Sequence, residues 1–311
     1  MMLPEPDATV EKPPAIVDAH QHFWDIEANY LPWLCDAEPI PFRYGDYRSI
    51  RRSYGSEDYR RDTAGWPITR SVYIEAEWDR VDPVAETRWI SEVAARTGFP
   101  SASVGWCDLA DPNAEQVLAA HAAFPLVRGI RQKPAAVDRP QDARRGAAGS
   151  MDDPAWRRGY ALLARHNLSF DLQTPWWHMD AAADLAHDFP ATQIIINHTA
   201  LPSDRSTEGL AGWRRALENV ATQGNVAIKI SGLGQQNARW TNEANGPIVR
   251  DAIAIFGVER AMFASNYPVD RLAGPFDTIY HGFLAATADY SASDRRKLFH
   301  DNAICLYRLD G

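Results

Sequence analysis

Eight short apolar segments alternate along the chain with longer stretches in which apolar residues recur at helical spacing. Segments of this length and composition are typical of buried β-strands. Asp-Pro pairs at 82–83, 111–112 and 153–154 are start signals for three of the intervening helices. Strands that alternate with helices predict a parallel sheet, and eight strands close a (β/α)8 TIM barrel. The predicted strands occupy residues 15–20, 70–76, 101–107, 126–131, 168–173, 192–198, 225–231 and 260–265.

An open, doubly wound sheet is the competing α/β architecture. Such a sheet normally carries a glycine-rich phosphate-binding loop after its first strand, whereas this chain continues with the segment HQHFWD at 20–25. The sequence therefore predicts a single barrel over residues 15–311. The first 14 residues, MMLPEPDATVEKPP, are acidic and proline-rich, so we expect them to form a disordered leader.

Composition limits the partners that we expect for this protein. The net charge of −9 over 311 residues argues against nucleic acid or an anionic membrane. No apolar run approaches the length that crosses a bilayer. The three cysteines are scattered and form no CxxC pair, which favours a reducing compartment. We expect a soluble, cytoplasmic protein that acts on a small molecule, and a homo-oligomer remains open.

The first predicted strand ends in two histidines, His20 and His22. Alternate side chains of a strand share a face, so the two imidazoles project together. A pair of this kind suits a divalent metal, zinc above all. The alternative is a strand end that carries two histidines without binding a ligand.

Polar residues recur at the carboxyl ends of the other predicted strands. In a TIM barrel these ends face the active site, and buried lysine or arginine requires an anion nearby. We expect Lys229 either to bind a substrate anion or to neutralise Glu75, and the pair with Glu75 is favoured. The polar residues at these ends are Glu75, Glu77, Arg128, Arg131, Asp171, Gln173, Asn197, His198, Lys229, Ser231, Ser265 and Asn266.

Two aromatic features accompany these strand ends. Trp176 and Trp177 follow the fifth predicted strand, where they would either stack on a planar ring or pack beneath a loop. The connection at about 21–66 is long and rich in aromatic residues, and a connection of that length is usually functional. It would either wall a pocket at the barrel mouth or hold an insertion against the outer helices.

Several of these segments together resemble a known family. The resemblance is to the amidohydrolase superfamily, and within it to the amidohydrolase-2 branch of TIM-barrel lactonases, which includes fuconolactonases, 2-pyrone-4,6-dicarboxylate lactonases and sulfomuconolactone hydrolases. It extends over about 16–310. The motifs that carry it are DAHQHFWD at 18–25, VRGIRQ at 127–132, IIINH at 194–198, KISGL at 229–233 and FASNYPVD at 263–270.

The resemblance implies a role for individual residues. His20 and His22 match the pair that ligates a metal in some members and contacts substrate in metal-free ones. His198 matches a histidine beside the scissile carbonyl, and it is the third candidate metal ligand. Arg131 matches an arginine that holds a substrate carboxylate through its planar fork. Gln173, Trp176, Trp177 and Lys229 complete the expected substrate-binding set.

Asn266 departs from the pattern of the family, which usually has an aspartate there as metal ligand and base. A carboxamide cannot accept a proton as a carboxylate does. Three replacements are open: a metal that activates water by itself, Glu75 or Glu77 aimed inward from the second strand, or Asp270. We favour Glu75, because alternation puts it on the same face as Glu77, whereas Asp270 is better explained as capping a turn.

The function that the resemblance implies is hydrolysis of a lactone or related cyclic ester or amide of a small carboxylated or hydroxylated molecule. The candidate catalytic residues are His198, Glu75 and Asn266, with a divalent metal on His20, His22 and His198. A metal-free lactonase, an aromatic-acid decarboxylase and a binding protein without catalysis are the alternatives, since Asn266 replaces the usual aspartate.

Overall fold

Eight parallel strands form one sheet in sequential order around a barrel. The computed structural model describes residues 14–309, so nearly all of the predicted leader at 1–14 lies outside the described residues. All eight predicted strands are confirmed: β1 and β2 keep their predicted length with a shift of one or two residues, and the other six are one to four residues shorter than predicted. They are β1 (Ile16–Gln21), β2 (Ile68–Ile74), β3 (Ala102–Gly105), β4 (Val127–Arg131), β5 (Ser169–Leu172), β6 (Ile194–Ile196), β7 (Val226–Ile230) and β8 (Ala261–Phe263).

Contacts between β1 and the segment after β8 bring the ends of the sheet together. The Asn266 amide donates to the His20 carbonyl, and the His22 amide donates to the Tyr267 carbonyl, both at 2.8 Å. The carboxylate of Asp18 in β1 accepts from the backbone and hydroxyl of Ser265 at 2.8 and 2.6 Å. The first and last strands therefore place their carboxyl ends side by side, as the predicted TIM barrel requires.

Helices surround the sheet and connect its strands. Asp153 caps the helix Pro154–Tyr160 as its Asp-Pro pair predicts, since its side chain accepts from the Ala155 amide at 2.8 Å. Asp82 and Asp111 instead form turns, each three residues before the first residue of its helix. The helices are α1 (Pro32–Cys35), α2 (Ser56–Asp62), α3 (Ala85–Thr97), α4 (Ala114–Ala122), α5 (Pro154–Tyr160), α6 (Met179–Asp188), α7 (Thr207–Ala221), α8 (Asn242–Phe256), α9 (Phe276–Ala286), α10 (Ala292–Arg296) and α11 (Asn302–Leu306).

The apolar core has two parts. The larger lies between the outer face of the sheet and the helices. The smaller contains mainly small and β-branched side chains of β1, β2, β3, β6, β7 and β8, together with Tyr307 and Leu309 from the end of the chain. The C-terminal segment therefore packs into the inner core of the barrel. Among the described residues, no helix combines the length and apolarity that a membrane span needs.

We predict that Gly159→Ala destabilises the protein, because α5 packs too closely on the segment after β3 to admit a side chain. A Cβ at Gly159 would lie 2.0 Å from the Leu109 carbonyl oxygen, which is backbone and cannot rotate away. Overpacking of this kind costs about 1–3 kcal/mol, measurable by urea denaturation. Gly224→Ala is the matched control, since a Cβ there meets nothing within 4 Å; equal stabilities of the two variants would contradict the prediction.

Candidate active site

Three histidines lie together at the carboxyl end of the barrel. His20 belongs to β1, His22 follows it directly, and His198 follows β6. The ring centres of His20 and His198 are 4.5 Å apart, and those of His20 and His22 are 4.9 Å apart. All three side chains are buried. The structure thus brings the three predicted histidines into contact.

Hydrogen bonds give the strand-one histidines a consistent set of proton positions. Nδ1 of His22 lies 2.8 Å from the Ile74 carbonyl oxygen, which only accepts, so that nitrogen carries the proton and Nε2 does not. Nδ1 of His20 lies 3.4 Å from the ammonium of Lys229, which only donates. The His20 proton therefore lies on Nε2, which is 3.2 Å from Nε2 of His22 and donates to it.

The same surroundings keep the imidazoles neutral. Burial lowers the pKa of His22 to about 3, with Arg131 as the leading charge that adds to this effect. Burial also lowers the pKa of His20 and of His198 well below the usual range, reinforced by Lys229 at His20 and by Arg43 at His198. At neutral pH the cluster consists of uncharged rings beside cations.

Lys229 pairs with Asp171, and the expectation that it would neutralise Glu75 is wrong. Both residues are fully buried, and the Lys229 ammonium donates to the Asp171 carboxylate. The Tyr307 hydroxyl, from the C-terminal segment, donates to the same carboxylate at 2.9 Å. The physical reason is position, because β7 presents Lys229 to β5 inside the barrel, whereas Glu75 at the end of β2 is occupied by an arginine.

That arginine is Arg131. Its Nε donates to Oε1 of Glu75 at 2.7 Å, and its Nη1 donates to Gln173 at 2.9 Å. The other Glu75 oxygen accepts from Arg80 and from the Glu77 amide, each at 3.0 Å. Burial alone raises the pKa of Glu75, but the charges of Arg131 and Arg80 outweigh it and lower that pKa to about 2. A carboxylate with so low a pKa is a poor base.

Glu77 does not share the face of Glu75, so the expected alternation is wrong there. Strand β2 ends at Ile74, and Glu77 has a left-handed backbone with φ of 62°. Its side chain is 38% exposed and pairs with Lys133.

Asn266 is held by Asp270. Its Nδ2 donates to Oδ1 of Asp270 at 2.7 Å, and the Tyr44 hydroxyl donates to the same oxygen at 2.7 Å. The other oxygen of Asp270 accepts from the Gly232 amide at 3.0 Å. Asp270 is 1% exposed, and burial raises its pKa. It therefore fixes the Asn266 amide from behind. The turn-capping role expected for it is wrong, because its carboxylate accepts from Tyr44, Gly232 and Asn266, and none of these belongs to the turn that follows.

A cavity of about 250 Å³, the histidine cavity, opens above these residues. The connection at 21–66 fills both of the roles open for it, since Trp33 and Phe42 wall the cavity, whereas Trp66 packs on Phe276 and Tyr280 of α9. Arg43 and Lys133 were not among the predicted site residues, because both lie in loops that show no periodicity. The lining residues are His22, Trp33, Ile40, Pro41, Phe42, Arg43, Ala76, Glu77, Arg131, Lys133, Gln173, His198, Asn266 and Val269.

The remaining candidates lie away from this cavity. His20, Glu75 and Lys229 are buried beneath it. The ring of Trp176 packs so closely on Gly212 of α7 that a Cβ at Gly212 would lie 2.6 Å from it. Trp177 donates from Nε1 to the Val137 carbonyl at 3.0 Å and lines a neighbouring cavity. Among the predicted substrate contacts, Arg131 and Gln173 reach the histidine cavity.

The side chains fit a metal ion only in part. Two nitrogens bound to tetrahedral zinc lie about 3.3 Å apart, close to the 3.2 Å between Nε2 of His20 and of His22. However, Nε2 of His20 carries a proton in the arrangement above, Asn266 offers no carboxylate, and Glu75 is bound to arginines. Within residues 14–309, no three histidine, cysteine or acidic side chains are arranged to hold a metal ion. The residues therefore do not form a three-ligand metal site.

The family model described as amidohydrolase matches residues 17–309. The chain belongs to the amidohydrolase family. This amidohydrolase-type hydrolase is 30% identical over 309 residues to an L-fucono-1,5-lactonase of Burkholderia ambifaria, covering 94% of this chain and 96% of the relative.

Two further relatives are similar to this amidohydrolase over nearly their whole length. An uncharacterised protein of Sinorhizobium fredii is 41% identical over 303 residues, covering 95% of this chain and 99% of the relative. The crystal structure of an amidohydrolase from Burkholderia multivorans with bound zinc is 25% identical, with a TM-score of 0.77, and the match covers 94% of this chain and 99% of that one. The resemblance stated from sequence motifs is confirmed.

We predict that Glu75→Gln destabilises the amidohydrolase in a pH-dependent way. Removing one member of a buried ion pair costs about 3–5 kcal/mol. The pKa of Glu75 is about 2 in the folded protein against a reference value of 4.5. Its stabilising effect is therefore fully present above pH 4.5 and is lost as the pH falls towards 2.

The measurement is urea denaturation of wild type and Glu75→Gln at pH 7, at pH 4.5 and at lower pH. The exposed Glu218 supplies the matched control, and we expect Glu218→Gln to match wild type throughout. A difference between wild type and Glu75→Gln that stays constant with pH would contradict the role assigned to this ion pair.

Proposed function

We propose that this amidohydrolase hydrolyses a lactone of a small carboxylated molecule in the histidine cavity, without a metal ion. The observation that carries the proposal is a cavity in which neutral His22 and His198 lie beside arginine side chains. Its volume of about 250 Å³ suits a small ring compound. The lactonase named among the relatives supports a cyclic ester as the bond that is cleaved.

The charges of the cavity favour an anionic substrate. Arg43, Arg131 and Lys133 line it, and Glu77 is the one carboxylate among its described lining residues. Glu77 is already paired with Lys133, and Arg131 with Glu75. Arg43 makes no carboxylate pair within residues 14–309; its Nη1 donates to the Gly232 carbonyl at 3.3 Å. We assign the substrate carboxylate to Arg43, with the Nη1 edge of Arg131 and the amide of Gln173 available to the ring.

The proton that leaves the attacking water is assigned to His22. Its Nε2 carries no proton, because Nδ1 donates to Ile74, and the hydrogen bond that it accepts from His20 breaks when the water takes that place. Water attacks the carbonyl carbon, the proton passes to Nε2, and the bond from that carbon to the ring oxygen breaks. The same proton then goes to the departing ring oxygen, which leaves a hydroxyl group and a carboxylic acid that ionises at neutral pH.

Most of the acceleration is assigned to stabilisation of the oxyanion. A nitrogen whose pKa is about 3 is a weak base, although it is unprotonated at any working pH. Fixed cations in a water-poor site stabilise developing negative charge without reorganisation. Arg131 is fixed by Glu75 and Gln173, and Asn266 by Asp270. Glu75 is thus proposed as a positioning residue for Arg131, in place of the catalytic base expected from the sequence.

The test is a panel of lactones that are matched in ring size and differ in carboxylation. We expect turnover of carboxylated lactones, and we expect His22→Ala to lower kcat/KM by about 10²–10⁴, the usual contribution of a positioned acid or base. The control is His187→Ala, at an exposed position of α6. Loss of CO2 from aromatic acids without lactone turnover would indicate a decarboxylase. If neither lactones nor aromatic acids are turned over, the result would indicate a binding protein.

We also expect the activity to survive removal of metal. Dialysis against a chelator should leave kcat/KM of wild type within about twofold, since no proposed step uses a metal ion. Metal analysis of the same samples should give far less than one ion per chain. Loss of activity that zinc restores would instead favour zinc-assisted hydrolysis, the candidate supported by the 3.2 Å spacing of the two Nε2 atoms.

A further inference from the structure

Tyr44 belongs to the long connection at 21–66 and directly follows Arg43 in the chain. Its side chain is buried, and it is not among the described lining residues of the histidine cavity. Its hydroxyl donates to Oδ1 of Asp270 at 2.7 Å, the oxygen that also accepts from Asn266. Burial raises the pKa of the Tyr44 hydroxyl well above its usual range, so the group keeps its proton at neutral pH. One end of this side chain therefore acts on the carboxylate that holds the Asn266 amide.

The ring of Tyr44 contacts Arg43, to which the substrate carboxylate is assigned. The guanidinium carbon of Arg43 lies 4.5 Å from the centre of the Tyr44 ring. This distance is within the range of a cation–π contact, which is stronger where water is excluded. The ring also meets that of Phe42 edge to face, with the ring centres 6.0 Å apart. The Tyr44 ring therefore helps to hold the guanidinium in place.

Gly232 completes a closed set of contacts around Tyr44. Its carbonyl accepts from Arg43 at 3.3 Å, and its amide donates to Oδ2 of Asp270 at 3.0 Å. Gly234 leaves room for the ring, because a Cβ at that position would lie 2.8 Å from Cζ of Tyr44. The ring has little space in which to move, so the positions of Arg43 and Asp270 are linked through it.

A packing role alone accounts for only part of this arrangement. A buried tyrosine needs one acceptor for its hydroxyl, and a backbone carbonyl would serve to fasten the connection at 21–66 to the barrel. Here the acceptor is the oxygen that orients Asn266, and the ring faces a cation of the histidine cavity. The two parts of one side chain thus act on two different groups of the site.

We propose that Tyr44 is a positioning residue, whose ring sets the Arg43 guanidinium for substrate binding and whose hydroxyl sets the Asn266 amide for stabilisation of the oxyanion. This inference rests on the proposed function, which gives those two tasks to Arg43 and Asn266. Binding and rate should then be separable within one side chain. Phenylalanine keeps the ring and removes the hydroxyl, whereas leucine removes both.

The kinetic test compares wild type, Tyr44→Phe and Tyr44→Leu on a carboxylated lactone and a neutral lactone of the same ring size. Tyr44→Phe should lower kcat about tenfold on both and leave each KM within about twofold. The reason is that loosening an oriented donor removes part of the factor of about 10²–10³ that such a donor contributes. Tyr44→Leu should lower kcat at least as much. It should also raise KM about fivefold for the carboxylated lactone alone, the scale of one cation–π contact.

A binding test examines the ring without any turnover. Calorimetry with valerate, a monocarboxylate, should give Tyr44→Phe a dissociation constant within about twofold of wild type and Tyr44→Leu one about fivefold higher. Arg43→Gln should weaken valerate binding at least as much, which would place the probe at Arg43. Absence of valerate binding in wild type would overturn the role of the ring. Tyr44→Met replaces Tyr44→Leu if circular dichroism shows that the leucine variant is unfolded.

Tyr54→Phe is the matched control. The Tyr54 hydroxyl also donates to a buried carboxylate, that of Asp62 at 2.8 Å, and Arg271 lies over its ring. Tyr54 belongs to the same connection, and it is not among the described residues that line the histidine cavity. We expect Tyr54→Phe to keep the wild-type kcat, KM and valerate affinity.

Two results would overturn the positioning role of Tyr44 while lactone turnover leaves the proposed function standing. One is an unchanged kcat in Tyr44→Phe together with an unchanged valerate affinity in Tyr44→Leu. The other is an equal loss in Tyr44→Phe and Tyr44→Leu on both lactones, as packing alone would give. Conversely, valerate affinity that depends on the ring, without turnover of any lactone, would refute the proposed function and retain the role of the ring at Arg43.

Discussion

The buried ion pair between Glu75 and Arg131 is the interaction on which the histidine cavity depends. It fixes a guanidinium at the carboxyl end of the barrel, where Arg131 also reaches Gln173. The pair also occupies the carboxylate of Glu75, which directly follows β2 and was the base expected from the sequence. Together with burial, the charge of Arg131 keeps His22 neutral. Removal of either partner would leave an uncompensated charge inside the barrel, at a cost of several kcal/mol.

Two other buried carboxylates organise the barrel around this pair. Asp171 neutralises Lys229 and accepts from Tyr307, so it connects β5, β7 and the C-terminal segment. Asp18 accepts from Ser265 and from Tyr59, so it connects β1 with the end of β8 and with α2. Each contact joins elements that are distant in the chain. The position of His20, between β8 and the Lys229 ammonium, therefore depends on the closed barrel as a whole.

The exchange of the usual aspartate for Asn266 has a clear structural setting. Asp270 lies four residues further along, and it holds the amide through a hydrogen bond of 2.7 Å. A carboxylate at position 266 would face that of Asp270 in a buried site, where two carboxylates cannot both be ionised without strong repulsion. The asparagine and the buried Asp270 therefore belong together, and the site has an amide where a metal site would need a charged ligand.

The sequence alone determined the barrel and the residues at its carboxyl end. Strand periodicity, Asp-Pro start signals and polar residues at strand ends are local features: they report where an element begins and ends and which side chains share a face. They correctly brought His20, His22 and His198 together. Only the tertiary structure decided how the charges pair, because Lys229 reaches Asp171 on β5 and Glu75 reaches Arg131 on β4 across the barrel. It also decided that Arg43, from a segment without periodicity, lines the histidine cavity and the neighbouring cavity that Trp177 lines. The course of a long connection depends on the surface that it covers.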